Sequence, residues 1–138
     1  MSLASAAQLA PDQGTRSFRQ AFGRFATGVA FVTAAPDGEP TGLIVNSFAS
    51  VSLEPPLVSF CPSHNSFTWS RMRRTGRFGI NILGRRHESF ARRAALPGAD
   101  RFARLDWAPG RGGAPLIMDA LASFECEIVA EHPTGWPA

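Results

Sequence analysis

Two β-rich runs joined by an Asp-Gly turn constrain this chain more than any other feature. "VAFVTAA" (29–35) is dense in β-branched and aromatic side chains, which crowd a helix but lie well on a pleated surface. "PDGEP" carries the Asp-Gly signal of a hairpin, so the run that follows must return antiparallel. That run, "TGLIVNSFASVSL" (41–53), is predicted as one partner strand. Glu54-Pro55-Pro56 closes it, because proline cannot donate to a central ladder. Within it, Asn46, Ser47, Ser50 and Ser52 punctuate an apolar text containing Val45, Phe48 and Val51. A solvated strand face has this pattern. So does a strand that holds a ligand through hydroxyls, an amide and backbone N–H groups.

The remaining text extends the same architecture. "SFRQAFGRFATG" carries Phe18, Ala21, Phe22 and Phe25 at the spacing of an amphipathic helix, with Gly28 placed to end it. "LVSFC" reads as a short buried strand. "NSFTWSRMRRTG" reads as a helix capped by Asn65 or Ser66 and stopped by Gly76. "RFGINIL" returns to strand, "RRHESFARRAAL" is a second amphipathic helix, and a polar loop runs from Pro97 to Pro115. "ALASFECEIVAEH" alternates as a half-exposed antiparallel strand, with Leu121, Ser123, Glu125 and Glu127 opposite Ala122, Phe124, Cys126 and Ile128. Short strands with helices between them indicate an antiparallel barrel or an α+β sheet. Regular βαβ alternation and a G-x-G-x-x-G fingerprint are both missing, which argues against a Rossmann fold.

At 138 residues the chain is the size of one domain. Residues 1–16 are read as a mobile N-terminal arm without secretory-signal character, and residues 17–138 as the folded domain. No apolar run approaches the length of a membrane span, and the expected location is the cytoplasm. Cys61 and Cys126 sit far apart in apolar runs and are expected to be buried free thiols, with no metal site. All 14 basic residues are Arg, giving a net charge of +3. The doublets Arg73-Arg74, Arg85-Arg86 and Arg92-Arg93 suit a solvated face, a phosphate-bearing small ligand or nucleic acid. The aromatic–basic interleaving of base-stacking proteins is missing, so nucleic acid is not the expected partner.

Catalysis by side chains alone has little support. No G-x-S-x-G elbow accompanies His64, and His87 and His132 read as surface histidines. The carboxylates form no close pair for glycoside chemistry and no set for Mg²⁺ or Ca²⁺. Redox chemistry here would therefore belong to a cofactor, and no catalytic residue is assigned.

"FRQAFGRFATGVAFVTA", "GLIVNSFASVSLEPPLVSFC", "TWSRMRRTGRFGINIL" and "GADRF", in this order and spacing, resemble the flavin reductase family. These are the small NAD(P)H:flavin oxidoreductases that supply two-component monooxygenases. The resemblance runs from about Phe18 to His132. It implies a mainly β fold with short helices, an FMN-binding split β-barrel, and a homodimer with a flavin at each end of the interface. It also implies that the stretch from Val45 through Asn46, Ser47, Ser50 and Val51 to Ser52 runs along the flavin. Phosphate contacts are implied at Asn65, Ser66 and Thr68, where a helix begins, and a basic contact at Arg101. The turn containing Thr27 and Gly28 is implied to lie near the flavin ring. The physics suits these roles: hydride transfer to a flavin leaves negative charge that preorganised N–H and O–H donors stabilise without a titrating group.

After Glu131-His132 the family continues through Gly-Asp-His into further strands. Here Gly135 matches, while Trp136 and Pro137 stand where Asp and His are expected. The expectation is therefore a split barrel lacking its C-terminal strand and the histidine beside the nicotinamide. Function is read as NAD(P)H-dependent reduction of FMN or FAD for a partner monooxygenase. The alternative is a flavin-binding module with little or no turnover.

Overall fold

The first hairpin forms as its sequence predicts in the computed structural model, which describes residues 20–21 and 23–133. Strand β1 (Ala30–Ala34) pairs antiparallel with β2 (Thr41–Val45), Ala30 opposite Val45 and Ala34 opposite Thr41. The turn between them is a 3₁₀ segment, Pro36–Gly38. Asp37 and Gly38 both take positive φ, a conformation that Asp tolerates and Gly adopts freely.

The second strand is shorter than expected. β2 ends at Val45, and a new strand, β3 (Ala49–Leu53), begins after Asn46–Phe48 and leaves the sheet. It pairs instead with β4 (Pro56–Ser59) in a separate two-stranded ribbon, so Pro56 opens a strand whose ladder it cannot join as a donor. The register slips between Ser50 and Ser52, a bulge that interrupts the alternation of the strand. β4 is also half-exposed rather than buried, since a two-stranded ribbon covers only one of its faces.

The main sheet has the order β2-β1-β5-β8, antiparallel throughout, with β5 spanning Arg77–Ile82 and β8 spanning Ala122–Glu127. β1 is central, and all five of its residues are buried. Its alternation divides the core. Ala30, Val32 and Ala34 pack with Val45, Met72, Phe78 and Ile80 on one face, beside Phe60 and Trp69. Phe31 points to the other face, with Leu83, Ile117, Phe90 and Phe102. Helix α1 (Phe67–Met72) belongs to the first face and α2 (Glu88–Ala94) to the second.

Local signals explain the helix ends. Ser66, of the two candidate caps, accepts the Trp69 N–H at 3.1 Å. A 3₁₀ turn, Arg73–Thr75, extends α1 to Gly76, whose φ of 68° is the left-handed stop that the sequence predicts. The polar loop at 97–115 contains a strand that its composition concealed. β6 (Trp107–Pro109) pairs with β7 (Pro115–Ile117). Glu125 holds the turn between them, accepting the Gly112 N–H at 2.9 and 3.1 Å and the Ala114 N–H at 3.4 Å.

One buried polar network ties these strands together. Asn81 Nδ2 donates to Phe31 O (3.0 Å) and Thr33 Oγ1 (3.3 Å), while Oδ1 accepts from the Ile117 N–H (2.8 Å) and the Ser123 hydroxyl (2.9 Å). β1, β5, β7 and β8 thus meet at a single side chain, which is fully buried and fully bonded.

Several expectations change. The arm at residues 1–16, Phe18 and Phe22 of the amphipathic run, and Gly135 to Pro137 lie outside the described residues. Gln20 and Ala21 are helical, but the chain already turns at Gly23–Arg24, so Gly28 does not end that helix. Phe25, counted on its apolar face, is 76% exposed. Cys61, expected to be buried, is exposed because the half-covered β4 ribbon leads directly into it. Cys126 is half-buried, and burial raises its thiol above the usual range.

His87 is the opposite case, buried rather than on the surface. Its Nδ1 accepts the Gly84 N–H at 2.9 Å, fastening the turn before α2. Its Nε2 lies 3.2 Å from Asp119 Oδ1, in a line poor for hydrogen bonding. His87, acting through that polar contact, is the main cause that lowers the Asp119 carboxyl from its ordinary value, and the charges of His87 and Arg86 add to it. Among the described residues no helix is long and apolar enough to cross a membrane.

Candidate functional site

The break between β2 and β3 creates a cavity. Where the chain leaves the sheet after Val45, it opens a space of about 250 Å³ between the end of β2 and the segment running from β4 into α1. Leu43, Ile44, Val45 and Pro62 provide the apolar wall, and Asn46, Ser47, Cys61, Ser63 and Ser66 the polar one. The local fold follows from hydrogen bonding. The Cys61 N–H donates to Ser47 Oγ at 2.9 Å, tying the strand exit to the segment after β4. Ser66 Oγ is committed to its cap bond with Trp69.

Four of the residues implied as flavin contacts therefore converge here: Val45, Asn46, Ser47 and Ser66. Asn65 stands beside them, exposed, its N–H 3.4 Å from Ser63 Oγ. Thr68 and Arg101 come together separately. The Arg101 Nη1 donates to Thr68 Oγ1 at 3.1 Å, and its Nε donates to Ala94 O at 2.6 Å. Arg101 lines a second cavity of about 200 Å³ with Arg71 and Thr41.

The other implied contacts do not line either cavity. Ser50, Val51 and Ser52 lie on the β3–β4 ribbon, where Ser50 and Val51 are exposed and Ser52 half-buried. Thr27 and Gly28 are exposed in the segment before β1. The helix expected to present its first N–H groups to a phosphate is six residues long, too short to gather much dipole.

Sequence reasoning missed the contributions of Cys61, Pro62 and Ser63. Cys61 was read as core because it follows an apolar run, and only the ribbon's exposure reveals otherwise.

Residues 22–137 match the family described as the Flavin reductase like domain. The reductase subunit HsaB of a flavin-dependent monooxygenase from Mycobacterium tuberculosis is 38% identical over 120 residues, 87% of this chain and 64% of that protein. The chain thus spans just under two thirds of that relative's length. SmoA, an FMN reductase (NADH) from Agrobacterium fabrum, is 41% identical over 123 residues, covering 89% of this chain and 70% of its own. Among solved structures, the NADH:FAD oxidoreductase of Streptomyces globisporus, in complex with NAD and FAD fragments, superposes with a TM-score of 0.83 at 38% identity. That match covers 94% of this chain and 78% of that one. With a family match across most of its length and relatives sharing its sheet, the chain belongs to the flavin reductase family.

Proposed function

We propose that this chain reduces FMN or FAD with NADH or NADPH and releases the reduced flavin to a partner monooxygenase. It would work as a cytoplasmic homodimer of a split-barrel domain built from residues 17–138. The observation that carries this reading is the cavity at the end of β2. Its apolar strand wall suits a flat ring system, and its polar wall suits that ring's heteroatom edge.

A bound flavin would supply the two-electron chemistry, accepting hydride from the nicotinamide. The chain's own residues would bind and orient. Leu43, Ile44, Val45 and Pro62 exclude water from one side, which strengthens every dipole within. Asn46, Ser47 and Ser63, with their neighbouring amides, offer neutral donors where negative charge develops. Among the described residues Cys61 is the one titratable side chain lining this cavity. Ser50, Val51, Ser52, Thr27 and Gly28 would reach the flavin from the ribbon and from the segment before β1. Asn65, Ser66, Thr68 and Arg101 would serve its phosphorylated tail.

At about 250 Å³ the cavity lies below the range of pockets that enclose a ligand of this size, roughly 300–1,000 Å³. One subunit thus offers part of a pocket, which favours completion by a second copy. Leu53 at 84% exposure and Val51 at 46% give the adjoining ribbon an apolar surface for that contact. The names of the relatives support the chemistry and the partner: an FMN reductase (NADH), an NADH-dependent FAD reductase and a monooxygenase reductase subunit.

The test is loss of nicotinamide absorbance on mixing the protein with NADH or NADPH, with and without added flavin. Flavin-dependent oxidation is expected. A folded protein that neither binds flavin nor oxidises either nucleotide would overturn the reading.

A further inference from the structure

β8 ends the main sheet on one side, and among the described residues it pairs with β5 alone. Its register is unbroken from Ala122, opposite Ile82, to Glu127, opposite Arg77. Just beyond, and in phase with that register, the Ile128 N–H donates to Gly76 O at 3.0 Å. Alternation then turns the N–H and C=O groups of Ser123, Glu125 and Glu127 away from β5, along the free edge. Such an edge is a template for another strand unless something blunts it.

Little blunts it here. Ala122–Glu127 contains no proline, no lysine and no bulge. Its two acids, which could repel a second strand, are engaged within the chain. Glu125 accepts the Gly112 and Ala114 N–H groups, and Glu127 pairs with Arg77 at 2.6 Å. Phe124 is 39% exposed and stacks on Phe48, with ring centroids 6.1 Å apart. Phe48 stands at the root of the β3–β4 ribbon, so the edge is continuous with the apolar surface proposed to meet a second copy.

We infer that β8 pairs antiparallel with β8 of a second copy, about a two-fold axis at Phe124, joining two four-stranded sheets into one. The inference rests on the homodimer reading and gives that dimer a register. Charge and edge parity select it. Phe124 faces the partner's Phe124, Ala122 the partner's Cys126, and Ser123 the partner's Glu125, so no like charges stand directly opposite. Ser123 and the partner's Glu125 exchange their outward N–H and C=O groups, and the apolar pairs fall at the close, non-hydrogen-bonded positions. Moving the axis to Glu125 would set that carboxylate against its own copy. The two-fold consumes both β8 edges, so pairing stops at two copies.

The experiment combines sedimentation, residue-resolved amide exchange and a cross-link. The native chain should sediment as a dimer at micromolar concentration. Its Ser123 and Glu125 N–H groups should exchange about tenfold more slowly in the dimer than in the diluted monomer. Ala122→Cys, combined with Cys61→Ser to remove the exposed thiol, should form a disulfide to the partner's Cys126, diamide taking up the two electrons and two protons released. Positions 122 and 126 lie about 13 Å apart along one strand, too far to bridge within a chain. Leu121→Cys, one residue out of phase, should not join to Cys126. A dimer whose Ser123 and Glu125 amides exchange freely overturns the edge pairing and leaves the homodimer reading standing. A folded native chain that stays monomeric overturns both. Protection of these amides in the monomer would mean that the chain covers its own edge, and equal cross-linking by Leu121→Cys would mean random collision; either overturns the pairing.

Discussion

Replacing Asn81 with Leu removes one side chain and loosens four strands. Leu repeats the branching of the Asn side chain with two larger methyl groups, so lost hydrogen bonds and some overpacking both enter the cost. Four hydrogen bonds disappear, but their consequences differ. Ser123 is exposed and can turn to water, and Thr33 keeps its own acceptors, Gly79 O and Pro115 O. The Ile117 N–H has no such recourse, because Ile117 is 3% exposed and this bond links β7 to β5. An orphaned buried amide costs about 1–3 kcal/mol, and the Phe31 carbonyl, also fully buried, loses a donor worth about 1 kcal/mol. The sum is a destabilisation of about 2–4 kcal/mol, a large part of the roughly 5–15 kcal/mol that holds a domain folded. Urea unfolding followed by tryptophan fluorescence measures it, since Trp69 and Trp107 sit in the two halves of the core. The midpoint should fall with little change in slope. Ser123→Ala should cost no more than about 1 kcal/mol, because Oδ1 of Asn81 keeps its other donor. A loss below about 1 kcal/mol for Asn81→Leu would refute the claim that this network fastens β7 to the sheet.

Asn46→Ala should weaken flavin binding by about 1–3 kcal/mol, as an unsatisfied buried partner does; unchanged fluorescence titrations would make Asn46 a solvated residue. Glu125→Ala should destabilise the β6–β7 turn, read as faster amide exchange at Gly112 and Ala114, the two N–H groups it accepts. Asp119 has a lowered folded pKa, caused first by its contact with His87, so its contribution is present above its unfolded value near 3.8 and lost as pH falls through the folded value. Acid unfolding should accordingly show a smaller pH dependence below about pH 4 in Asp119→Asn, and an identical profile would remove the contact from the account. The proposed homodimer should sediment as such at micromolar concentration, and a Leu53→Glu change, at a site 84% exposed, should shift it toward monomer without unfolding it.

What the chain determines by itself is local. Asp-Gly between two β-branched runs specifies the β1–β2 hairpin, Ser66 and Gly76 bound α1, and apolar alternation identifies β5 and β8 as strands. Motif order was enough to place the chain in its family, because those motifs are the local elements strung at fixed spacing. The site was legible where a single stretch supplies it, as Val45 to Ser47 do. Tertiary structure decided what local preference leaves open. "TGLIVNSFASVSL" has strand propensity throughout, and only competition between partners breaks it at Asn46, sending its second half to β4 and opening the cavity at the break. Composition marks 97–115 as loop, yet β6 forms there because Glu125, distant in sequence, gathers the turn's amides. Burial likewise belongs to the assembled sheet. His87 lies in a polar, arginine-rich text but is covered when α2 packs on the second face, and Cys61 lies in an apolar text but is exposed because a two-stranded ribbon has nothing over its outer side. Arg71 and Arg101, thirty residues apart, share a cavity for the same reason: long-range packing sets which side chains meet, and no window along the chain contains that information.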